Sequence, residues 1–276
     1  MKVTAPLLVL LGFIFAPIVG ARPNVLVIMV DDLGYADLGV HGGREVRTPN
    51  IDALAAGGVR CTSGYVTAPY CSPSRAGLLT GRYQTRFGHE FNPHVGDEAV
   101  LGLPLDERTI ADRLKSAGYA TAVIGKWHQG FTKDRHPQSR GFDEFFGFLV
   151  GAHNYLLHAK AAPKFGTAHS HDLIYRGREV QKLEGHATDL FTDEAIRFMR
   201  RDPAKPWFLY LAYNAVHTPL EIAERWRERL PSSVTDPARR GYLALLLGLD
   251  EAIGRVTAHL RATGQEKETL VFFLSD

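Results

Sequence analysis

Asn24 to Asp32 reads NVLVIMVDD. The first seven residues form a continuous, largely β-branched apolar run without the alternation of a half-buried strand. They fit a strand covered on both faces, as in a parallel sheet. The two acids sit at its carboxyl end, which is where ligands bind in open parallel sheets. Adjacent carboxylates repel unless a cation lies between them, and such oxygen donors suit a hard ion, Ca²⁺ or Mg²⁺. An isolated Asp-Asp pair is ordinarily a solvated turn, so this pair takes its meaning from its company.

The same grammar repeats outward. Thr48-Pro49 supplies an N-cap and first-turn pair for a helix that Gly57-Gly58 stops. RTIADRLKS, Arg108 to Ser116, has helical spacing, with Gly118 as its stop. Helices are expected again over Thr188 to Arg201 and Arg239 to Arg261. Strands are expected over Ala120 to Ile124, Trp207 to Tyr213 and Thr269 to Leu274, the last (TLVFFL) read as buried. Alternating strands and helices give an α/β fold, a mostly parallel sheet with helices on both faces. Phe131 to Glu184, rich in His, Gly and Lys, is read as irregular surface loops of the kind that line substrate clefts.

With 276 residues, 45% hydrophobic and 22% charged, the chain has the composition of one large packed α/β unit. A net charge of +2 offers no global attraction to nucleic acid or an anionic membrane, and neither is an expected partner. Residues 1–21 have the layout of a signal peptide: Lys2, an apolar run from Leu7 to Val19, then Val19-Gly20-Ala21 at a cleavage position. No later stretch reaches the roughly 18 apolar residues of a membrane helix. The mature protein is expected to be exported, to a periplasm, the extracellular space or a lysosome according to its source. Two cysteines, Cys61 and Cys71, do not make a disulfide scaffold. The chain stops at Asp276, at the carboxyl end of an expected strand, and is therefore read as a fragment of a longer protein.

Further chemistry-bearing residues fall at strand ends or a helix start. CSPSR, Cys71 to Arg75, opens a helix with Pro73 in its first turn and Gly81 at its end. Cys71 then sits where helix N–H groups favour an anion, and Arg75 one turn on offers a planar partner for an oxyanion. A cysteine phosphatase would want Arg six residues after the Cys, but that position is Gly77. Lys126 and His128 end the strand ATAVI, two apart on an extended segment, so they face one pocket. His217 follows WFLYLAY and is a candidate proton donor. Asp276 adds a third carboxylate. Singly each signal is modest; together they place acids, Cys, Arg, Lys and two His at one sheet edge.

At this point the segments PNVLVIMVDDLGYADLGVHGG, CSPSRAGLLTGRY, GYATAVIGKWH, HTPL and TLVFFLSD resemble the type I sulfatases, arylsulfatase-like enzymes of the alkaline-phosphatase-like superfamily. The resemblance runs from Pro23 to Asp276. It implies a C-terminally truncated sulfatase fold, with residues 22–276 an incomplete catalytic domain that lacks the end of the core and a small C-terminal domain. It implies that a formylglycine-generating maturation enzyme converts Cys71 to formylglycine, whose hydrated aldehyde attacks the sulfur of a sulfated small molecule or saccharide. A covalent sulfo-enzyme results, and the second hydroxyl then expels sulfate. It assigns Asp31, Asp32, the modified Cys71 and Asp276 to a Ca²⁺ site, Ca²⁺ rather than Mg²⁺. Ca²⁺ and Arg75 activate the nucleophile, Lys126 contacts the sulfate, His128 is similar to the base that helps sulfate leave, and His217 looks like the acid that protonates the departing alcohol.

The resemblance also exposes departures. A further Asn metal ligand after Ser-Asp and a downstream sulfate-binding Lys are missing, so weak metal binding and loss of activity are expected of a chain ending at Asp276. Gln129 stands where Leu is expected. A phosphate- or phosphonate-ester hydrolase and a non-catalytic binding protein on the same fold are the rival readings. Cys61 is read as a small core residue, Trp207 and Phe208 as sheet core, and Asp250 as a packing or surface-pair residue. His41, His89, His94 and His153 are read as solvated loop histidines.

Overall fold

The computed structural model describes residues 22–93, 102–157, 173–201 and 205–276. In chain order it contains β1 (Asn24–Val30), α1 (Pro49–Ala56), α2 (Cys71–Thr80), α3 (Ile110–Ser116), β2 (Ala120–Lys126), β3 (Glu144–Phe148) and β4 (Leu156–Leu157). Then follow β5 (Ile174–Arg176), β6 (Glu179–Gln181), β7 (Gly185–His186), α4 (Ala187–Met199), β8 (Trp207–Ala212), α5 (Glu224–Arg227), α6 (Pro237–Ala262) and β9 (Thr269–Ser275). The main sheet has the order β6-β5-β3-β2-β8-β1-β9, while β4 and β7 form a separate pair. β1 runs parallel to β8 and β9, and β2 parallel to β8 and β3. β5 and β6 add an antiparallel margin. The mostly parallel α/β sheet expected from the sequence is therefore observed.

β1 shows why its run needs no alternation. Leu26, Ile28 and Val30 enter one apolar cluster together with Ile51 of α1, Phe191 and Phe198 of α4, and Leu246 and Ile253 of α6. Val27 and Met29 enter the opposite cluster with Leu79 of α2 and Ala111 of α3. Both faces of the strand are thus covered by helices. The Thr109 side chain and Asp112 form a reciprocal capping box at the start of α3, and Gly81 ends α2 in the left-handed region. Gly125 (φ +104°) and Gly147 (φ +153°) face each other across β2 and β3. A Cβ on Gly125 would stand 1.9 Å from the Ala212 carbonyl oxygen, so only glycine fits that approach of β2 to β8.

Several expectations are corrected. The stretch Phe131 to Glu184 is not wholly loop: β3, with Phe145, Phe146 and Phe148 buried, lies inside the main sheet, and β5 and β6 extend it. Residues 158–172 of that stretch lie outside the described residues, as do residues 1–21 and His94. β9 is an edge strand among the described residues, with Leu270 51% and Phe272 52% exposed, because nothing described pairs beyond it. Cys61 is exposed, because it lies in the irregular segment between α1 and α2. His89 and His153 are buried. Asp250, by contrast, has the packing role expected of it: its buried carboxylate accepts from the Asn50 and Ile51 amides (3.0 and 2.9 Å) and so docks the first turn of α1 on α6.

Candidate active site

The carboxyl ends of β2, β8, β1 and β9, four neighbouring strands, deliver the site. Asp276 N–H donates to the Val30 carbonyl (3.2 Å) and Asp31 N–H to the Ala215 carbonyl (3.0 Å), which lock the three chain segments side by side. In an extended strand Asp31 and Asp32 would point to opposite faces. Asp32 instead has φ +57°, and this left-handed turn breaks the alternation. One ligand atom each from Asp31, Asp32, Cys71 and Asp276 can then lie within 4.8 Å of all the others. Cys71 is the first residue of α2, where unpaired N–H groups converge. These are the four residues that the resemblance assigns to a metal site.

Buried charge lies under this group. Asp31, Arg75 and Lys126 have fully buried side chains. Lys126 Nζ donates to both Asp31 oxygens (2.9 and 2.6 Å), and Arg75 Nη2 donates to Asp31 Oδ1 (3.0 Å). Burial would raise the Asp31 pKa, but Lys126 and Arg75 override it and hold the carboxyl well below its ordinary range. Arg75 Nε comes within 2.7 Å of Asp276 Oδ2, yet not along its N–H, so that contact is Coulombic. Both Asp276 oxygens are buried and without a hydrogen-bond donor among the described residues. Burial pushes Asp276 up to about 6 despite Arg75, with like-charge repulsion from Asp31 adding to it. Burial likewise pushes the Cys71 thiol up to about 11; Lys126 opposes this and Asp31 and Asp276 reinforce it.

The two candidate histidines are set differently. His128 is buried and has φ +56°, so it does not continue the strand from Lys126, and alternation is not what brings the two together. Burial lowers its pKa well below the ordinary value, and the nearby Lys126 and Arg75 lower it further. Its Nδ1 has no partner among the described residues. His217 stands at the mouth, 21% exposed, with Nε2 3.6 Å from Asp32 Oδ2. Its Nδ1 lies 2.5 Å from the Thr218 carbonyl, which can only accept, so Nδ1 carries the proton. The mouth is completed by half-buried Cys71 and by Asp32, 57% exposed.

Some residues near the site had no strong sequence signal. Tyr210 Oη lies 3.4 Å from Arg75 Nη1 and accepts from it. Tyr155 Oη donates to the carbonyls of Asn214 (2.5 Å) and His217 (2.8 Å), which holds the His217 loop down. His89 Nε2 meets Ser72 Oγ at 2.7 Å, one residue from Cys71. Gln129, flagged only as a departure from the expected Leu, is fully buried against the same serine. Their partners, the Arg75 guanidinium, backbone carbonyls and the Ser72 hydroxyl, are far away in sequence, which spacing does not reveal.

Comparison with known proteins agrees with this geometry. The family description Sulfatase matches residues 23–276. The chain is 38% identical over 260 residues to Arylsulfatase J of Mus musculus, covering 93% of this chain and 42% of the relative. It is 36% identical over 267 residues to N-acetylgalactosamine-6-sulfatase of Mus musculus, covering 92% and 50%. It thus spans about half the length of the curated relatives it matches. The crystal structure of Ps i-CgsB superposes with a TM-score of 0.84 at 36% identity, covering 92% of this chain and 58% of that one. The crystal structure of Ps i-CgsB in complex with k-i-k-neocarrahexaose gives 0.82 at 35%, with the same coverage. Its architecture, the carboxylates gathered at one sheet edge and a family match spanning almost all of its length place this chain in the sulfatase family.

Proposed function

We propose that the protein hydrolyses a sulfate ester through a formylglycine made from Cys71, by way of a covalent sulfo-enzyme, with Ca²⁺ held by Asp31, Asp32, residue 71 and Asp276. The observation that carries this reading is the meeting of those four ligand atoms within 4.8 Å of one another at the start of α2. The donors fit the ion: three are carboxylates, the donor class of a hard cation, and both Asp276 oxygens are buried without a hydrogen-bond donor among the described residues. When bound, Ca²⁺ would polarise a sulfate oxygen and offset the negative charge gathered there.

The protein groups divide the remaining work. Arg75 and Lys126, both on Asp31, supply fixed positive charge beside residue 71, where charge on a sulfuryl group develops. His128, kept neutral by burial and two neighbouring cations, suits the role of proton acceptor as sulfate leaves. His217 has its Nδ1 proton committed to Thr218, so a proton gained at Nε2 faces Asp32 and the mouth and is available to the departing alcohol. A sulfated saccharide is favoured over a sulfated small molecule, since one relative is named for an N-acetylgalactosamine sulfate ester and another is bound to a neocarrahexaose. A formylglycine-generating enzyme is the implied maturation partner. Export is proposed from residues 1–21; among the described residues no helix is long and apolar enough to cross a membrane.

The protein co-produced with that maturation enzyme is tested on a panel of sulfated sugars, with nitrophenyl sulfate and nitrophenyl phosphate in parallel. Release of sulfate that stops on chelation of Ca²⁺ and in Cys71→Ala is expected. Preference for the phosphate ester, or equal turnover in Cys71→Ala, contradicts the reading.

A further inference from the structure

Next to the reacting groups lies a closed set of hydrogen bonds that joins two of them. Ser72, His89 and Gln129 are all buried. Gln129 Nε2 donates to the Ser72 carbonyl (2.8 Å) and to the His128 carbonyl (2.8 Å), with Ser72 Oγ at 3.2 Å. Two of these neighbours are backbone carbonyls, which only accept, so the amide nitrogen must face them. Its oxygen, Oε1, has no partner among the described residues. Ser72 Oγ donates to the same His128 carbonyl (2.5 Å) and meets His89 Nε2. Ser72 N–H donates to Asn92 Oδ1 (3.0 Å), so the segment from His89 to Asn92 grips the start of α2 at two points. The carbonyl that receives both donors belongs to His128, the non-glycine residue held at φ +56°.

We propose that Gln129, acting with Ser72, is a positioning residue. Its side-chain amide clamps the first turn of α2 to the His128 carbonyl and so fixes Cys71 and His128 relative to each other. A Leu at this position would fill the space but would leave the His128 and Ser72 carbonyls each short of a buried donor. The left-handed backbone of His128 is sustained by these bonds, because strained conformations persist where surroundings over-determine them. The consequence for turnover rests on the catalytic reading above; the geometric claim does not.

The test uses the thiol form of the protein, made without the maturation enzyme. Iodoacetamide labels it at one fixed pH, and mass spectrometry reads the alkylation rate at Cys71 relative to exposed Cys61. Gln129→Met keeps the volume and removes both donors; its Cys71:Cys61 ratio is expected to change by about fivefold or more, with a cooperative melt retained. Ser72→Ala, which deletes one hydroxyl, should shift the ratio the same way and carries the test alone if the methionine variant does not melt cooperatively. The double variant should stay within about twofold of the larger single effect, because groups acting as one unit are not additive. In the matured protein, kcat should fall while KM holds within about threefold, as for a loss felt in the transition state. A ratio within about twofold of the parent, full multiplicativity, or a loss confined to KM overturns the proposal. Labelling needs neither aldehyde, Ca²⁺ nor turnover, so a failed clamp and a failed sulfatase reading give different results.

Discussion

Asp31 shows how much one side chain decides. It is the shared anion of two fully buried cations, Lys126 and Arg75. Asp31→Asn removes the charge but keeps the shape, and leaves both cations under-compensated. Breaking a buried pair in this way costs about 3–5 kcal/mol, which urea denaturation should show. A loss below about 1 kcal/mol would mean that solvent reaches the cations, and would contradict the burial described above. At this scale the sequence was legible where chemistry and position coincide. Asp31, Asp32, Lys126 and His217 all follow apolar strands, so their place at the sheet edge could be read. His89 and Gln129 could not, since their role comes from a hydroxyl and two carbonyls brought together only by folding. Cys61 was misread because residue type alone argued for burial, whereas its loop leaves it exposed.

Among the elements, α4 makes a pH-dependent prediction. Its N-cap, His186, accepts from the Thr188 amide at Nδ1, meets the Glu221 carbonyl at Nε2 (3.3 Å) and packs against the rings of Tyr155 and Trp226. Burial holds its pKa at about 4, below 6.5, although the Glu221 carbonyl and Asp189 pull upward. The unfolded chain therefore takes the proton first, and stability present above pH 6.5 is lost as pH falls through the window from 6.5 to 4. His89 and His136, also lowered to about 4 mainly by burial, act in the same direction. His186→Asn keeps an acceptor at the cap and should flatten the fall in melting temperature across that window. An unchanged slope would assign the acid loss elsewhere. Gly125→Ala makes a sharper prediction: the 1.9 Å clash with Ala212 should prevent the native sheet from forming, read as loss of a cooperative melt. Most elements were legible because their caps and stops are local, as with Pro49 and Gly81. β3 was not. EFFGF is short and sits amid glycine and histidine, and its burial is created by β2 and β5 on either side.

At the scale of the whole molecule, the main sheet is asymmetric among the described residues. One margin is closed by the antiparallel β5 and β6, whereas β9 presents Leu270 and Phe272 half exposed at the other. The fold class could be read because β1 is apolar on both faces, but the edge position of β9 could not, because TLVFFL would suit a central strand equally well. What the molecule does with its four-strand edge turns on the state of Cys71. The most direct measurement is mass spectrometry of the tryptic peptide from Cys61 to Arg75 after co-production with a formylglycine-generating enzyme. The account predicts an aldehyde at position 71 and an unaltered thiol at Cys61. An unmodified Cys71 in protein that still releases sulfate would contradict it.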